Sequence, residues 1–172
     1  MKKSEILVAP DYYNRYISLA DERGLIEQLS DGATGWFRQN LTKLNALGDK
    51  TYAENKWTVR QIVHHVCDTE RIFSTRALKV ARGETEPQKG FEEDIYASNA
   101  GSNKRSMESI LDEYDAVRNS SLHFFKSLSK DQLMKSGIVS GHGNSVLAMG
   151  FILIGHPKHH ANVIAERYFP LL

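Results

Sequence analysis

The sequence predicts an all-α protein: a four-helix bundle with a long crossover between helices 2 and 3. Four long segments place apolar residues at intervals of three and four, the period of helices that bury one face. No run of strand-like alternation competes with them. One connection, Gly83 to Asn103, far exceeds the links of about two to eight residues usual between antiparallel neighbours in bundles.

The first segment runs from Leu25 to Leu47, with Leu25, Leu29, Trp36, Leu44 and Leu47 on one side and Gly48-Asp49 as its stop. Gly32 and Gly35 weaken its middle, because glycine gives up the most backbone freedom in a helix. A short helix over Asp11 to Ala20 leads in. The second segment opens at Thr58, a residue suited to capping the first free N–H groups, and ends at Gly83. Its apolar face is Val59, Ile62, Val63, Val66, Phe73, Ala77 and Val80. The third spans Ser106 to Leu128 and carries Met107, Ile110, Leu111, Tyr114, Val117, Phe124 and Phe125 inward. The fourth follows the loop Ser140-Gly141-His142-Gly143 and continues to Phe169, where Pro170 stops it. The crossover is long enough to return along a helix, so the second and third helices are expected to run parallel. Its acid-rich piece, Phe91 to Tyr96, reads either as a cover over one mouth of the bundle or as a solvated loop.

A chain of 172 residues can bury one sizeable core, so residues 1–172 are expected to form one domain. Lysine plus arginine (22) nearly cancels aspartate plus glutamate (21), which leaves no basic field to attract nucleic acid. Cys67 is the single cysteine; it excludes an intramolecular disulfide and fits a reducing compartment. The stretch MKKSEILVAPDYY lacks the apolar core of a secretory signal, and Val146 to Ile154 is too short to span a bilayer. A cytoplasmic protein without membrane or nucleic-acid partners is the expectation.

Chemistry concentrates on three histidines. His156 and His160 lie one turn apart on the stripe Val146, Met149, Leu153, His156, His160, Val163 and Ile164, and so point the same way. Buried imidazoles need partners for their nitrogens, and helical carbonyls are already used, so a shared cation would satisfy both. His65 lies about 60° of helix rotation from Ile62, at the edge of the buried face, and can reach inward. Three imidazoles suit zinc, nickel or ferrous iron rather than magnesium or calcium, and three ligands leave a coordination position open. The plainer reading is that each histidine is a hydrogen-bonded core residue.

Glu70 falls on the apolar face between Val66 and Phe73, where a carboxylate requires a partner. It is either a catalytic general base or one half of an ion pair with Arg118 or Arg167. Asp68 is either a support for the metal site or an ordinary polar helix residue. Cys67 points away from His65 and reads as a core residue. His64 and His159 point away from the same centre and read as solvent-facing or as supports beside the metal site, His142 is a loop residue that could line a mouth, and His123 belongs to the surface. Pro157, within the fourth helix, should kink it and free the carbonyl of Leu153. The run HPKHH has proline where HExxH has its glutamate, so the zinc-peptidase motif is absent.

The stretch WTVRQIVHHVCDTER (57–71) with RALKVARG (76–83), the crossover piece GFEEDIYA, the segment SGHGNSV and the closing GHPKHHANVIAERY (155–168) together resemble the DinB-like family over nearly the whole chain. The resemblance implies a four-helix bundle with crossover topology, often a homodimer, and a divalent metal held by three histidines at His65, His156 and His160. Many relatives carry glutamine or histidine three residues after the last ligand, where this chain has Val163, with Asn162 beside it. Members are described as metal-dependent hydrolases, and some relatives transfer low-molecular-weight thiols. Two classes of function follow. One is a metal-dependent enzyme on a small-molecule substrate, by hydrolysis with metal-activated water or by transfer of a metal-bound thiolate. The other is a non-catalytic, dimeric metal- or ligand-binding bundle.

Overall fold

The computed structural model describes residues 1–172. The lead-in helix is α1 (Asn14–Ile17), entered through a 3-10 turn at Asp11–Tyr13. The expected first long helix is instead three short ones, α2 (Leu25–Ser30), α3 (Gly35–Gln39) and α4 (Leu41–Leu47). Gly32, at φ +81°, breaks the rod where glycine weakened the pattern. α5 (Val59–Arg82) is the longest element. Thr58 caps it as expected: its side chain accepts from the Gln61 N–H while the Gln61 side chain accepts from the Thr58 N–H, a reciprocal capping box. Gly83, left-handed at φ +92°, ends it.

The crossover carries its own helix, α6 (Glu93–Asn99), and leads to α7 (Met107–Lys126), capped by Ser106. A short α8 (Lys130–Met134) then precedes a feature that contradicts the expectation of no strands: β1 (Ser136–Val139) and β2 (His142–Ser145) form an antiparallel hairpin. Ser140 and Gly141 both have positive φ (51° and 82°), the signature of the tight turn that matches strand twist. Two strands of four residues are too short for alternation to show in the sequence. The hairpin packs on the end of α5, where a β-carbon at Gly137 would stand 2.8 Å from a Val80 methyl. α9 (Val146–Val163) follows directly, capped by Ser145, and closes through one π-helical turn at Ile164–Tyr168.

Side-chain pairs show the topology. Glu70 meets Arg118 and Ser74 meets Ser121, so numbers rise together and α5 runs parallel to α7, as the long crossover requires. α9 runs against α5: Lys135, ahead of α9, bonds the carbonyl of Ala81, whereas His160, near its end, faces His65. The α2–α4 segment opposes α7, with Thr34 on Asp115 and Asn45 on Glu108.

Two apolar clusters form the core. One joins Leu25, Phe73, Phe125 and Phe151; the other joins Leu47, Val63, Leu111 and Ile164. Between them, at mid-height, each long helix contributes polar residues: Thr69 and Glu70 from α5, Arg118 from α7, His156 from α9, all buried. This polar layer positions the candidate site. No helix is long and apolar enough to cross a membrane.

Candidate metal centre

The structure brings His65, His156 and His160 together. Their ligand nitrogens all lie within 4.8 Å of one another, with His65 and His156 buried and His160 partly so. The helical period accounts for the α9 pair, and antiparallel packing carries His65 of α5 to the same height. The Nε2 atoms of His156 and His160 are 3.1 Å apart. Nitrogens bound at about 2.0–2.1 Å to one tetrahedral ion stand about 3.3 Å apart, so the pair is spaced as two ligands of a shared cation would be. The His65 ring centroid lies 5.1 Å from that of His156 and 5.2 Å from that of His160.

Electrostatics favour ligand chemistry. Burial drives the His65 pKa down to about 4, partly opposed by the Asp94 charge. His160 is pushed down to about 3 by burial, then by the neighbouring histidines. His156 is also held well below its ordinary value, by burial first and then by the neighbouring histidines. All three are therefore neutral at physiological pH, with lone pairs available to a cation. Tyr16 packs edge-on against His156 at 5.1 Å, and Trp57 lies 4.7 Å from His65. The His65 Nδ1 is buried without a hydrogen-bond partner. An orphaned imidazole nitrogen in this position fits a set of residues built to hold a metal ion.

The remaining candidates separate. Glu70 takes the ion-pair role of the two that the sequence left open. Its carboxylate oxygens each accept from Arg118, through Nε and Nη2, at 2.7 Å, and neither residue is more than 4% exposed. Burial alone would lower the Arg118 pKa, but the Glu70 charge outweighs it and keeps the guanidinium ionised. Nη2 also donates to the carbonyl of Leu153 at 2.7 Å. That carbonyl is the one Pro157 leaves without an N–H four residues on, so the pair meets the need that the proline creates. Cys67 is fully buried, and burial pushes its thiol up to about 12, which keeps it protonated and unreactive. Asp68 pairs with Arg71. His64 is buried rather than solvent-facing and bonds Ser102 through Nδ1. His159 leans on Tyr16, while His123 and His142 are exposed. Val163 lies near His160, but Asn162 belongs to a separate cavity of about 380 Å³ beneath Trp36, which none of the three histidines reaches.

Two cavities flank the triangle. One, of about 210 Å³, touches His156 and is lined by Tyr16, Thr69, Arg76 and Glu93. The other, of about 330 Å³, touches His160 and is lined by Trp57, Asp94 and Val163. Asp94 accepts a hydrogen bond from the Trp57 indole at 2.9 Å. The crossover thus supplies lining residues to both cavities, as a cover would, while residues 92–96 stay exposed to solvent and from Glu93 onward are helical rather than loop. Thr69, Arg76, Glu93 and Asp94 were not singled out from the sequence. Arg76 and Thr69 continue the buried stripe of α5, so their positions on that face were a usable signal; Glu93 and Asp94 fall within the acid-rich piece read as a possible cover, though neither was named by itself.

Comparisons with known proteins agree with this geometry. A protein of Oceanobacillus iheyensis named "Putative metal-dependent hydrolase OB0413" is 25% identical over 137 residues, which cover 73% of this chain and 79% of that protein. A solved structure described as "YfiT from Bacillus subtilis is a probable metal-dependent hydrolase with an unusual four-helix bundle topology" superposes with a TM-score of 0.71 at 17% identity, over 95% of this chain and 90% of that one. At that identity the likeness speaks for the fold alone. The family model of the DinB superfamily matches residues 21–164, and the chain belongs to that superfamily.

Proposed function

We propose that this chain is a metal-dependent hydrolase of a small molecule, with His65, His156 and His160 holding one divalent transition ion, zinc, nickel or ferrous iron. The observation that carries the reading is the convergence of three neutral imidazoles between two cavities. The donor set is all nitrogen and numbers three, which suits a borderline cation with a position left for a further ligand. Such an ion, when bound, supplies Lewis acidity and lowers the proton affinity of a water or thiol that joins it. The protein's part is to keep the imidazoles unprotonated by burial, to fix their directions through the α5–α9 packing, and to hold the substrate in a flanking cavity. The Oceanobacillus relative named as a metal-dependent hydrolase supports the same reading.

Glu70 is not assigned as the base, because Arg118 occupies both of its oxygens. That engagement supports a second reading, transfer of a low-molecular-weight thiol, which needs no carboxylate to deprotonate water. Purified, untagged protein should contain one equivalent of metal, and His160→Ala should contain none. Metal-dependent turnover of generic esters or amides selects hydrolysis; turnover of a thiol with an electrophile selects transfer. Metal-loaded protein inert to both would refute the enzyme. The homodimer implied by the family belongs to the same proposal, and a monomer mass in sedimentation equilibrium would remove it.

A further inference from the structure

Two arginines are almost fully buried in this bundle, and they are treated differently. Arg118, 4% exposed, has the Glu70 carboxylate. Arg76, 5% exposed, has no carboxylate in ion-pair range. Its two side-chain hydrogen bonds both leave through Nη2, to the carbonyl of Lys89 at 2.8 Å and the hydroxyl of Ser140 at 3.4 Å. Nε and Nη1 donate to nothing in the protein. Phe73 and Phe91 hold the guanidinium, with its carbon 5.1 Å and 5.7 Å from their ring centres. A cation taken out of water without a counter-charge is costly, and such placement is characteristic of sites that receive an anion.

Arg76 lines the cavity that also touches His156. It sits eleven residues after His65 on α5, three helical turns along and on the same face. Thr69, between them on that face, is 4% exposed, and its hydroxyl is buried without a hydrogen-bond partner while lining the same cavity. The wall is otherwise largely aromatic, with Tyr16 and Phe73 buried and Phe91 partly so.

We propose that the substrate is an organic acid, a small molecule whose carboxylate pairs with Arg76 and whose apolar body lies among Tyr16, Phe73 and Phe91, reaching toward His156. The planar fork of a guanidinium matches a carboxylate. Arg76 is the sole cationic side chain on this wall, so it matches one negative charge and not the two of a phosphate dianion; partial burial raises the pKa of Glu93 on the same wall, which favours its neutral form beside a bound carboxylate. The Thr69 hydroxyl offers a further hydrogen bond part-way along. The proposal rests on the histidine triangle being the reacting centre, because it places the acid in the cavity beside His156.

The test uses the full chain, prepared metal-free and zinc-loaded, with zinc content measured on each sample. Benzoate and its neutral counterpart benzamide are titrated and followed by NMR. Wild type without metal should bind benzoate about ten-fold or more tightly than benzamide, the preference expected of a charge-assisted pair. Arg76→Gln should bind benzoate no better than benzamide while keeping wild-type zinc content. Nuclear Overhauser contacts should join the benzoate ring to Phe73 and Tyr16. Should Arg76→Gln fail to fold, the wild-type preference and those contacts decide the matter. Equal affinity for the two probes, no saturable benzoate binding, or an unchanged preference in Arg76→Gln overturns the assignment. Zinc content reports on the histidines separately. Benzoate preference without zinc binding sinks the metal reading and leaves an anion site; zinc binding without benzoate preference does the reverse.

Discussion

Gly155 rests directly on the backbone of Tyr16: a β-carbon at Gly155 would stand 1.8 Å from the Tyr16 carbonyl oxygen and 2.5 Å from its carbonyl carbon. Main chain cannot swing aside as a side chain can, so only glycine lets α1 approach α9 at this point. The contact sits one residue before His156, whose ring takes the edge of Tyr16. Gly155→Ala should therefore cost stability at the upper end of about 1–3 kcal/mol for overpacking. Urea denaturation measures it, and a midpoint equal to wild type would mean that α1 lifts off freely.

Breaking the buried pair should be expensive, and breaking both halves less so. Glu70→Ala leaves the Arg118 charge at mid-bundle without a counter-ion, for an expected loss of about 3–5 kcal/mol. The double variant Glu70→Ala with Arg118→Met removes both charges and should recover part of that. It still leaves the Leu153 carbonyl unsatisfied, at about 1–3 kcal/mol. A denaturation cycle over the four proteins reads the coupling; additive losses would show that the pair does not act as a unit.

Metal should stabilise the fold by mass action. With free zinc at about 100 times its dissociation constant the gain is about 2.7 kcal/mol. The comparison is of melts in zinc and in chelator, for wild type and for His160→Ala. A shift in the first and none in the second is expected; equal shifts would place the zinc elsewhere on the chain.

One acid links α5 to the start of α7. Burial raises the Glu113 pKa, but hydrogen bonds from Arg105 and Arg71 outweigh it and hold the carboxyl below its ordinary value. A folded pKa below the unfolded one contributes stability that is present above the unfolded value and lost as pH falls through the folded one. The Glu113→Gln variant should therefore be less stable than wild type at neutral pH, and its stability should fall less steeply below about pH 4. Parallel acid-limb slopes in the two proteins would show that Glu113 titrates alike in both states.

Much of this was legible in the primary structure. The stripes of α5, α7 and α9 showed because buried faces of eighteen residues or more sample the helical period many times. His156 and His160 showed because polar rings on such a stripe demand a reason. The first helix showed its weak point at Gly32 and Gly35, but its apolar spacing continues past them, and the positive φ of Gly32 is what turns a weakened helix into a broken one. The hairpin was invisible because Ser136–Ser145 is rich in serine and glycine, and its turn lacks the Asn-Gly pair that signals such turns most strongly. Arg118 was one of two named partners for Glu70, yet its bond to Leu153 requires knowing that α7 lies beside α9. Thr69 and Arg76 were within reach of the reasoning applied to Glu70, as polar residues on the same buried face.

The crossover has an evolutionary implication. The three histidines stand on α5 and α9, two helices that supply much of the buried interior. Phe91, Glu93 and Asp94, which line the flanking cavities, come from a stretch that commits little beyond Ala97 and Ser102 to that interior. Residues 84–103 can therefore diverge quickly while the imidazole triangle stays intact. Under the proposed function, a lineage could exchange one substrate for another by rewriting this strap, leaving the imidazole triangle and its scaffold untouched.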